Sequence, residues 1–386
     1  MGEFIGQGRK ARRAYGFDEV AIVPGTVTIN PDDVDISWTF GEHRFKIPFI
    51  ASAMDGVVDV RFAIEMGRLG GFGVLNLEGI QTRYEDPSPI LEQIITASPS
   101  KVTVLLQSLY REPVKERLIA KRISEIKRMG APAVVSAIPQ SALRFAEIAR
   151  DAGADIVVVQ ATVITAKHRS TRSQAIDFAK FCSNLDIPVI IGNCVTYEAA
   201  LELMRTGPAG LLVGIGPGAA CTTREVLGIG VPQVTATIDV AAARDFYYKK
   251  TKRYVSIITD GGMNTGGDVC KAFASGADAV MLGSAFARAS EAPGKGYHWG
   301  MATPDRYLPR GTRIEVGVTG TLKEILFGPA RLDDGTQNLV GALRTSMGNI
   351  GAKNIRELQR SELIIAPEIK TEGKAFQKAQ RRGMVR

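Results

Sequence analysis

Residues 256–284 read SIITDGGMNTGGDVCKAFASGADAVMLGS, and they contain one complete unit of the fold. An apolar, β-branched run (256–262) ends in an Asp-Gly-Gly turn, and an amphipathic segment (266–275) follows it. That segment stops at Gly276-Ala277, where a glycine past the last helical turn is the expected terminator. A second apolar run, 279–284, closes in Gly-Ser. Continuous apolar runs mark strands buried on both faces, as in parallel sheets crossed by helices.

The same unit recurs toward the N-terminus. Apolar runs lie at 49–54, 72–76, 102–107, 133–138, 156–160, 188–193 and 210–215, with amphipathic segments such as 141–151 and 170–182 between them. Gly130-Ala131, Gly153-Ala154 and Gly207-Pro208 repeat the helix stop. This alternation predicts an α/β fold, a (β/α)8 TIM barrel. Nine runs are one too many for eight strands. The run at 102–107 is set aside because it falls in an unusually long interval, 77–132, which also holds the charge-rich, helix-like 111–129. Residues 80–130 are expected to form an elaborated crossover after strand two, with an extra helix pair. Beyond the eighth strand lie about 100 residues rich in Gly, Pro and charge; a long structureless stretch in an enzyme is usually a lid. Residues 288–340 are therefore expected to be a flap, residues 370–386 a basic tail, and residues 1–386 a single catalytic barrel.

With 386 residues, 45% hydrophobic and 23% charged, the composition is that of a globular chain with a sizeable core. Cys182, Cys194, Cys221 and Cys270 show no CxxC or zinc spacing, so a reducing cytoplasm suits them better than secretion. The sequence shows neither a signal peptide nor an apolar run long enough to cross a membrane. The net charge of +8 sits at the two ends. Arg9, Lys10, Arg12 and Arg13 face only Glu3. Lys370, Lys374, Lys378, Arg381, Arg382 and Arg386 face only Glu372. A nucleic-acid groove needs a basic face on the body of the protein, with aromatics interleaved. Solvated tails are the better reading.

Polar and small residues gather where the runs end: Ser52, Asp55, Asn76, Asn193, Asp260-Gly261-Gly262 and Gly283-Ser284. In a barrel this is the catalytic face, and the last two loops commonly hold phosphate. The sixth run leads into Gly214–Arg224, GIGPGAACTTR. Its glycines permit positive φ and close approach, and clustered amides or carbonyls there suit an anion or a cation. Cys221 reads as a nucleophile on that loop or as a cysteine packed into a glycine-rich turn, and the motif alone leaves both open. His43 and His168 match no motif.

Over its whole length the sequence resembles the IMP dehydrogenase/GMP reductase family. The shared segments include FDEVAIVP (17–24), IPFIASAMDGVVD (47–59), GGFGVLN (70–76), GNCVT (192–196), GIGPGAACTTR (214–224), GVPQVTAT (230–237) and TSMGNIGAKNIREL (345–358). The resemblance implies a barrel that binds IMP over its strand ends and a Cys221 thiolate that attacks C2 of the purine, with Thr223 beside it. It implies Asp260 at the ribose hydroxyls, Gly262, Gly283 and Ser284 at the phosphate, and Ser52, Met54 and Asn193 lining the pocket. His298, Gly300 and Met301 would meet the nucleotide, with Gly300 and Met301 at the base. Gln160 and Gly214 would lie at NAD. Carbonyls of Gly216, Gly218 and Cys221, joined by Glu372-Gly373 of a neighbouring subunit, would surround a monovalent cation such as K+. A homotetramer is the usual assembly.

An Arg-Tyr pair on a flap distinguishes the dehydrogenases of this family, and Arg306-Tyr307 falls where that pair belongs. The resemblance therefore implies oxidation of IMP to XMP by NAD, with GMP reductase and a silent nucleotide-binding barrel as alternatives. The residue expected just after the flap falls at Glu315 or Val316. Three positions depart from the family pattern: Gln160 replaces an aspartate, Ala219 a serine and His298 a tyrosine. The interval 77–132 is also too short for the paired CBS regulatory domains that most dehydrogenases insert there.

Overall fold

The computed structural model describes residues 2–169, 171, 175–300, 312–367 and 374–380. Eight parallel strands close into a barrel: β1 (Phe49–Ala51), β2 (Phe72–Asn76), β3 (Val134–Ala137), β4 (Ile156–Gln160), β5 (Val189–Cys194), β6 (Gly210–Val213), β7 (Ser256–Asp260) and β8 (Ala279–Leu282). Each strand pairs with the next, and β8 returns to β1 through Val280 opposite Phe49. Side chains alternate along each strand. Ile50, Phe72, Ile156, Val158 and Ile258 fill the barrel interior, while Phe49, Val157 and Ile257 pack under the outer helices. Both faces are therefore apolar, which explains the unbroken runs.

The N-terminal end of the barrel is plugged. A hairpin of Trp38–Phe40 and His43–Phe45 sends Trp38, Phe40 and Phe45 into the interior core, with the Trp38 ring stacked on Phe72 at 6.1 Å. Only the C-terminal end is left for polar chemistry. β1, β3, β6, β7 and β8 stop short of their apolar runs there, where small polar residues such as Ser52 and Gly261-Gly262 turn the chain out of the sheet. Gly130, Gly153, Gly207 and Gly276 all have positive φ at the helix-to-strand turns, as their positions predict.

Residues 102–107 belong to a helix, Val102–Leu109, which supports their removal from the strand count. Val102 and Leu106 are buried with Ile80, Leu91, Ile94, Tyr110 and Trp299 in a satellite core, so the apolar run serves helix packing. The interval between β2 and β3 carries four helices, Ile80–Arg83, Ser88–Thr96, Val102–Leu109 and Glu116–Arg128.

Two expectations are corrected. Within the amphipathic segment 170–182, described residues 175–177 are not helical and the helix starts at Phe178, where the Asp177 side chain accepts from the amides of Ala179 and Lys180. The described residues after β8 are not a long structureless stretch. They hold a hairpin of Tyr297–Trp299 and Arg313–Glu315 and helices Leu322–Phe327 and Leu339–Ile350. Their density of Gly and Pro conceals these short elements. No helix among the described residues is long and apolar enough to cross a membrane.

Candidate active site

The loop after β6 is shaped by close approaches that only glycine allows. A Cβ on Gly214, at φ 148°, would stand 2.4 Å from the carbonyl oxygen of Asp260 and 2.8 Å from Nε2 of Gln233. Gln233 explains the crowding. Its buried amide donates to the carbonyls of Val213 (2.6 Å) and Asp260 (3.0 Å), stapling the ends of β6 and β7 together. Farther along the loop, the Cys221 amide donates to the Gly218 carbonyl at 3.0 Å. The Cys221 side chain is exposed, and its thiol donates to Thr223 Oγ1 at 3.2 Å.

The other three cysteines differ in kind. Burial pushes the thiols of Cys182 and Cys194 up to about 12 and that of Cys270 to about 11, so they are packing residues with almost no thiolate at neutral pH. Among the described residues, Cys221 is the one exposed thiol.

Asp260 ends β7. Its Oδ2 accepts from Asn193 Nδ2 at 2.8 Å and Gln160 Nε2 at 3.0 Å, joining the ends of β4, β5 and β7. Burial raises its carboxyl to about 6, against the opposing pull of the Asn193 hydrogen bond. It is therefore largely ionised at neutral pH. Oδ1 has no partner among the described residues.

A third group surrounds the ends of β8 and β1. Ser284 Oγ lies 3.0 Å from Nε2 of His298, and a Cβ on Gly283 would meet Met54 Sδ at 3.0 Å and Ser52 Oγ at 3.6 Å. His298 is buried, and desolvation, helped by Arg288, lowers its pKa to about 4. The ring is neutral at physiological pH, and Nδ1 has no partner among the described residues. Two residues on, Gly300 approaches the carbonyl of Ala220, which brings the hairpin strand against the cysteine loop.

The structure thus brings Ser52, Met54, Gln160, Asn193, Gly214, Gly216, Gly218, Cys221, Thr223, Asp260, Gly262, Gly283, Ser284, His298 and Gly300 to the C-terminal ends of the strands and the loops that meet there. Met301, Arg306, Tyr307, Glu372 and Gly373 lie outside the described residues. Glu315 is exposed on the hairpin, whereas Val316 packs against the core. A cavity of about 560 Å³ borders the loops after β6 and β7 through Pro217, Gln233 and Gly262, but Cys221, Asp260 and Ser284 do not line it. Volume alone therefore does not mark the site.

Sequence reasoning missed Gln233 and the group formed by Asp55, Tyr110 and Trp299. Gln233 stands in the quoted GVPQVTAT segment, and a polar side chain at the start of a buried helix was the available signal. Nothing local links Trp299 with Tyr110, whose contact spans 189 positions.

A plugged parallel barrel with an exposed thiol, a buried carboxylate and a serine–histidine pair at its open end is a (β/α)8 barrel of the enzymatic kind. A sequence model of the IMP dehydrogenase/GMP reductase domain matches residues 14–373. An uncharacterized oxidoreductase of Mycobacterium leprae is 40% identical over 371 residues, covering 94% of this chain and 99% of its own. The inosine-5'-monophosphate dehydrogenase of Cryptosporidium parvum is 30% identical over 387 residues and covers 92% of each chain. An IMP dehydrogenase/GMP reductase-like protein from Corynebacterium glutamicum, known from its crystal structure, aligns with a TM-score of 0.89 at 38% identity, covering 94% of this chain and 96% of that one. The chain belongs to the IMP dehydrogenase/GMP reductase family, a family of oxidoreductases.

Proposed function

We propose that the protein is an IMP dehydrogenase, oxidising IMP to XMP in guanine nucleotide synthesis. The observation that carries this reading is the exposed Cys221 thiol, hydrogen-bonded to Thr223 on a loop stapled to the Asp260 strand. Thr223 Oγ1 orients the S–H bond, and deprotonation gives the thiolate that is the true nucleophile. Attack forms a bond between Sγ and C2 of the purine. NAD, when bound, supplies the acceptor for the hydride that leaves C2. Water then replaces sulfur at C2 and restores the thiol. Arg306-Tyr307 is the sequence feature that favours this hydrolysis over the reductase reaction.

Asp260 Oδ1 is the acceptor for the ribose hydroxyls, with Oδ2 held in place by Asn193 and Gln160. Ser284, the Gly283 backbone and Gly262 would take the phosphate, and neutral His298 fixes the Ser284 hydroxyl without adding charge. The two cofactor residues differ. Gln160 donates through Nε2 to Asp260 and Asn193, which leaves its Oε1 as the acceptor for a dinucleotide, and Gly214 is buried beneath Gln233. A K+ site would draw on the carbonyls of Gly216, Gly218 and Cys221, of which that of Gly218 already accepts from the Cys221 amide. We include the cation, a homotetramer and a cytoplasmic location in the proposal as implications of the family.

GMP reductase is the second reading, kept open by Gln160 in place of the family's aspartate and by an interval, 77–132, too short for the paired regulatory domains of most dehydrogenases. One experiment separates them. Purified protein is given IMP with NAD+, and separately GMP with NADPH, while the absorbance of the reduced cofactor is followed. NADH formation in the first mixture supports the dehydrogenase, NADPH consumption in the second the reductase, and neither result leaves a silent nucleotide-binding barrel.

A further inference from the structure

The β2–β3 crossover and the hairpin after β8 meet in a buried chain of hydrogen bonds. The Trp299 indole N–H donates to the Tyr110 hydroxyl at 2.9 Å, and that hydroxyl donates to Asp55 Oδ2. The other carboxylate oxygen, Oδ1, accepts from the amide of Ile80 at 3.1 Å. All three side chains are at most 5% exposed. Asp55 follows the pocket residues Ser52 and Met54, and the chain allows no bulk beside it. A Cβ on Gly79 would stand 2.1 Å from Oδ1. Both oxygens of Asp55 accept, so the site needs a carboxylate and not an amide.

The second hairpin strand is fastened to the same crossover. The Arg313 guanidinium donates to the carbonyls of Ile95 and Ala97, both at 2.9 Å, and to that of Ile94, at the C-terminus of helix Ser88–Thr96. A cation is favoured there. It also lies over the Tyr297 ring at 4.5 Å. The hairpin holds His298 against Ser284 and Gly300 beside Ala220, so its register decides both contacts.

We propose that Tyr110, anchored by Asp55, is a positioning residue for the nucleotide site. The crossover sets the register of Tyr297–Trp299 through this hydroxyl and so places His298 at Ser284 and Gly300 beside the Cys221 loop. Tyr110 touches neither substrate nor reacting atoms. The nucleotide part of this inference rests on the function proposed above, whereas the placement of the hairpin against Cys221 does not.

Two readouts test it in Tyr110→Phe, which keeps the ring and removes the hydroxyl. The first is the rate of Cys221 alkylation by iodoacetamide without ligand, followed by peptide mass. The second is steady-state kinetics with the nucleotide. We expect alkylation to quicken severalfold and KM for the nucleotide to rise about tenfold, with a smaller change in kcat, in line with an orphaned buried hydrogen-bond partner. Trp299→Phe removes the donor at the other end and should reproduce both effects, so the inference stays testable if Tyr110→Phe does not fold. Unchanged alkylation and KM in the two variants would overturn it, even with a lowered melting temperature, because the chain would then be structural only. If wild-type protein binds neither IMP nor GMP, the functional reading fails while the alkylation rates still decide the positioning role.

Discussion

Gln160 Nε2 donates to Asp260 Oδ2 at 3.0 Å, across the open end of the barrel from β4 to β7. Two residues read separately from the sequence, one at the cofactor and one at the ribose, therefore form a single polar unit with Asn193. This changes what a substitution at position 160 should do. Restoring the family's aspartate would set a second carboxylate against the first, and like charges at one site strongly raise one of the two pKa values.

Gln160→Asp should therefore impair the nucleotide more than the cofactor. KM for IMP should rise about tenfold, the equivalent of one pKa unit of lost charge interaction, with little change in KM for NAD+. Initial-rate kinetics varying each substrate in turn provide the check. A fall in KM for NAD+ with IMP unaffected would mean that position 160 faces the dinucleotide after all.

Asp260→Asn trades function for stability. The folded carboxyl titrates at about 6, above its ordinary value, so the folded state binds the proton more tightly than the unfolded state. The stability linked to this group is fully present below its unfolded pKa and is lost as pH rises through about 6. Above that, the buried charge costs about 1–2 kcal/mol after allowance for water at the barrel mouth. The variant should bind IMP far more weakly, yet melt higher than wild type at about pH 8 and no higher at about pH 4. Calorimetry at the two pH values tests the sign.

The barrel was legible because its strands are buried on both faces, so Ile257 and Ile258 are apolar for different neighbours. The positions of Cys221, Asp260 and Ser284 at strand ends followed from the same pattern. What could not be read was which polar groups touch. Gln160, Asn193 and Asp260 come from three strands, and their contact depends on barrel closure. The pairing of Tyr297–Trp299 with Arg313–Glu315 was missed because three-residue strands leave almost no periodicity. The run at 102–107 shows the converse, since apolar content without alternation does not distinguish a strand from a packed helix.

Cys221→Ala should lower turnover by about four orders of magnitude or more, as deletion of a covalent nucleophile does. Nucleotide binding should persist, because the Asp260 and Ser284 groups are untouched. Thr223→Val removes one hydrogen bond to the thiol and should slow the reaction about fivefold, the value of a single net hydrogen bond. Quenched wild-type enzyme should carry the mass of a purine nucleotide adduct on the Cys221 peptide. Turnover by Cys221→Ala near the wild-type rate would refute covalent catalysis.

His298 makes stability sensitive to acid. Its folded pKa of about 4 lies below the ordinary histidine value because the ring is desolvated, so the unfolded chain binds the proton more readily. The stability it contributes is complete above about pH 6.5 and is lost as pH falls through about 4, for a total of about 2–3 kcal/mol. The amide introduced by His298→Gln can still meet Ser284 but does not titrate. Urea unfolding of both proteins across this window should show the stability difference moving in the variant's favour as pH drops. Parallel pH dependence in the two proteins would assign the acid sensitivity to another group.

Gln233 offers the most direct test of how the cysteine loop is held. Both protons of its amide are used, on the carbonyls of Val213 and Asp260, and the side chain is buried. Gln233→Leu keeps the volume but leaves two carbonyls without this donor, which should cost about 2–4 kcal/mol of unfolding free energy. The loop should loosen as well, because Gly214 packs directly on this amide, so kcat should fall more than stability alone requires. Gln233→Glu separates packing from hydrogen bonding. A carboxylate only accepts, and it would face two acceptors, whereas the protonated acid can donate to one of them. The Glu variant should therefore be less stable than the Leu variant at about pH 8 and recover toward it at about pH 5, where a buried, repelled carboxyl is protonated. Denaturant midpoints at both pH values, with kcat beside them, give the answer. Wild-type midpoints and kcat in both variants would show that the ends of β6 and β7 do not need the amide.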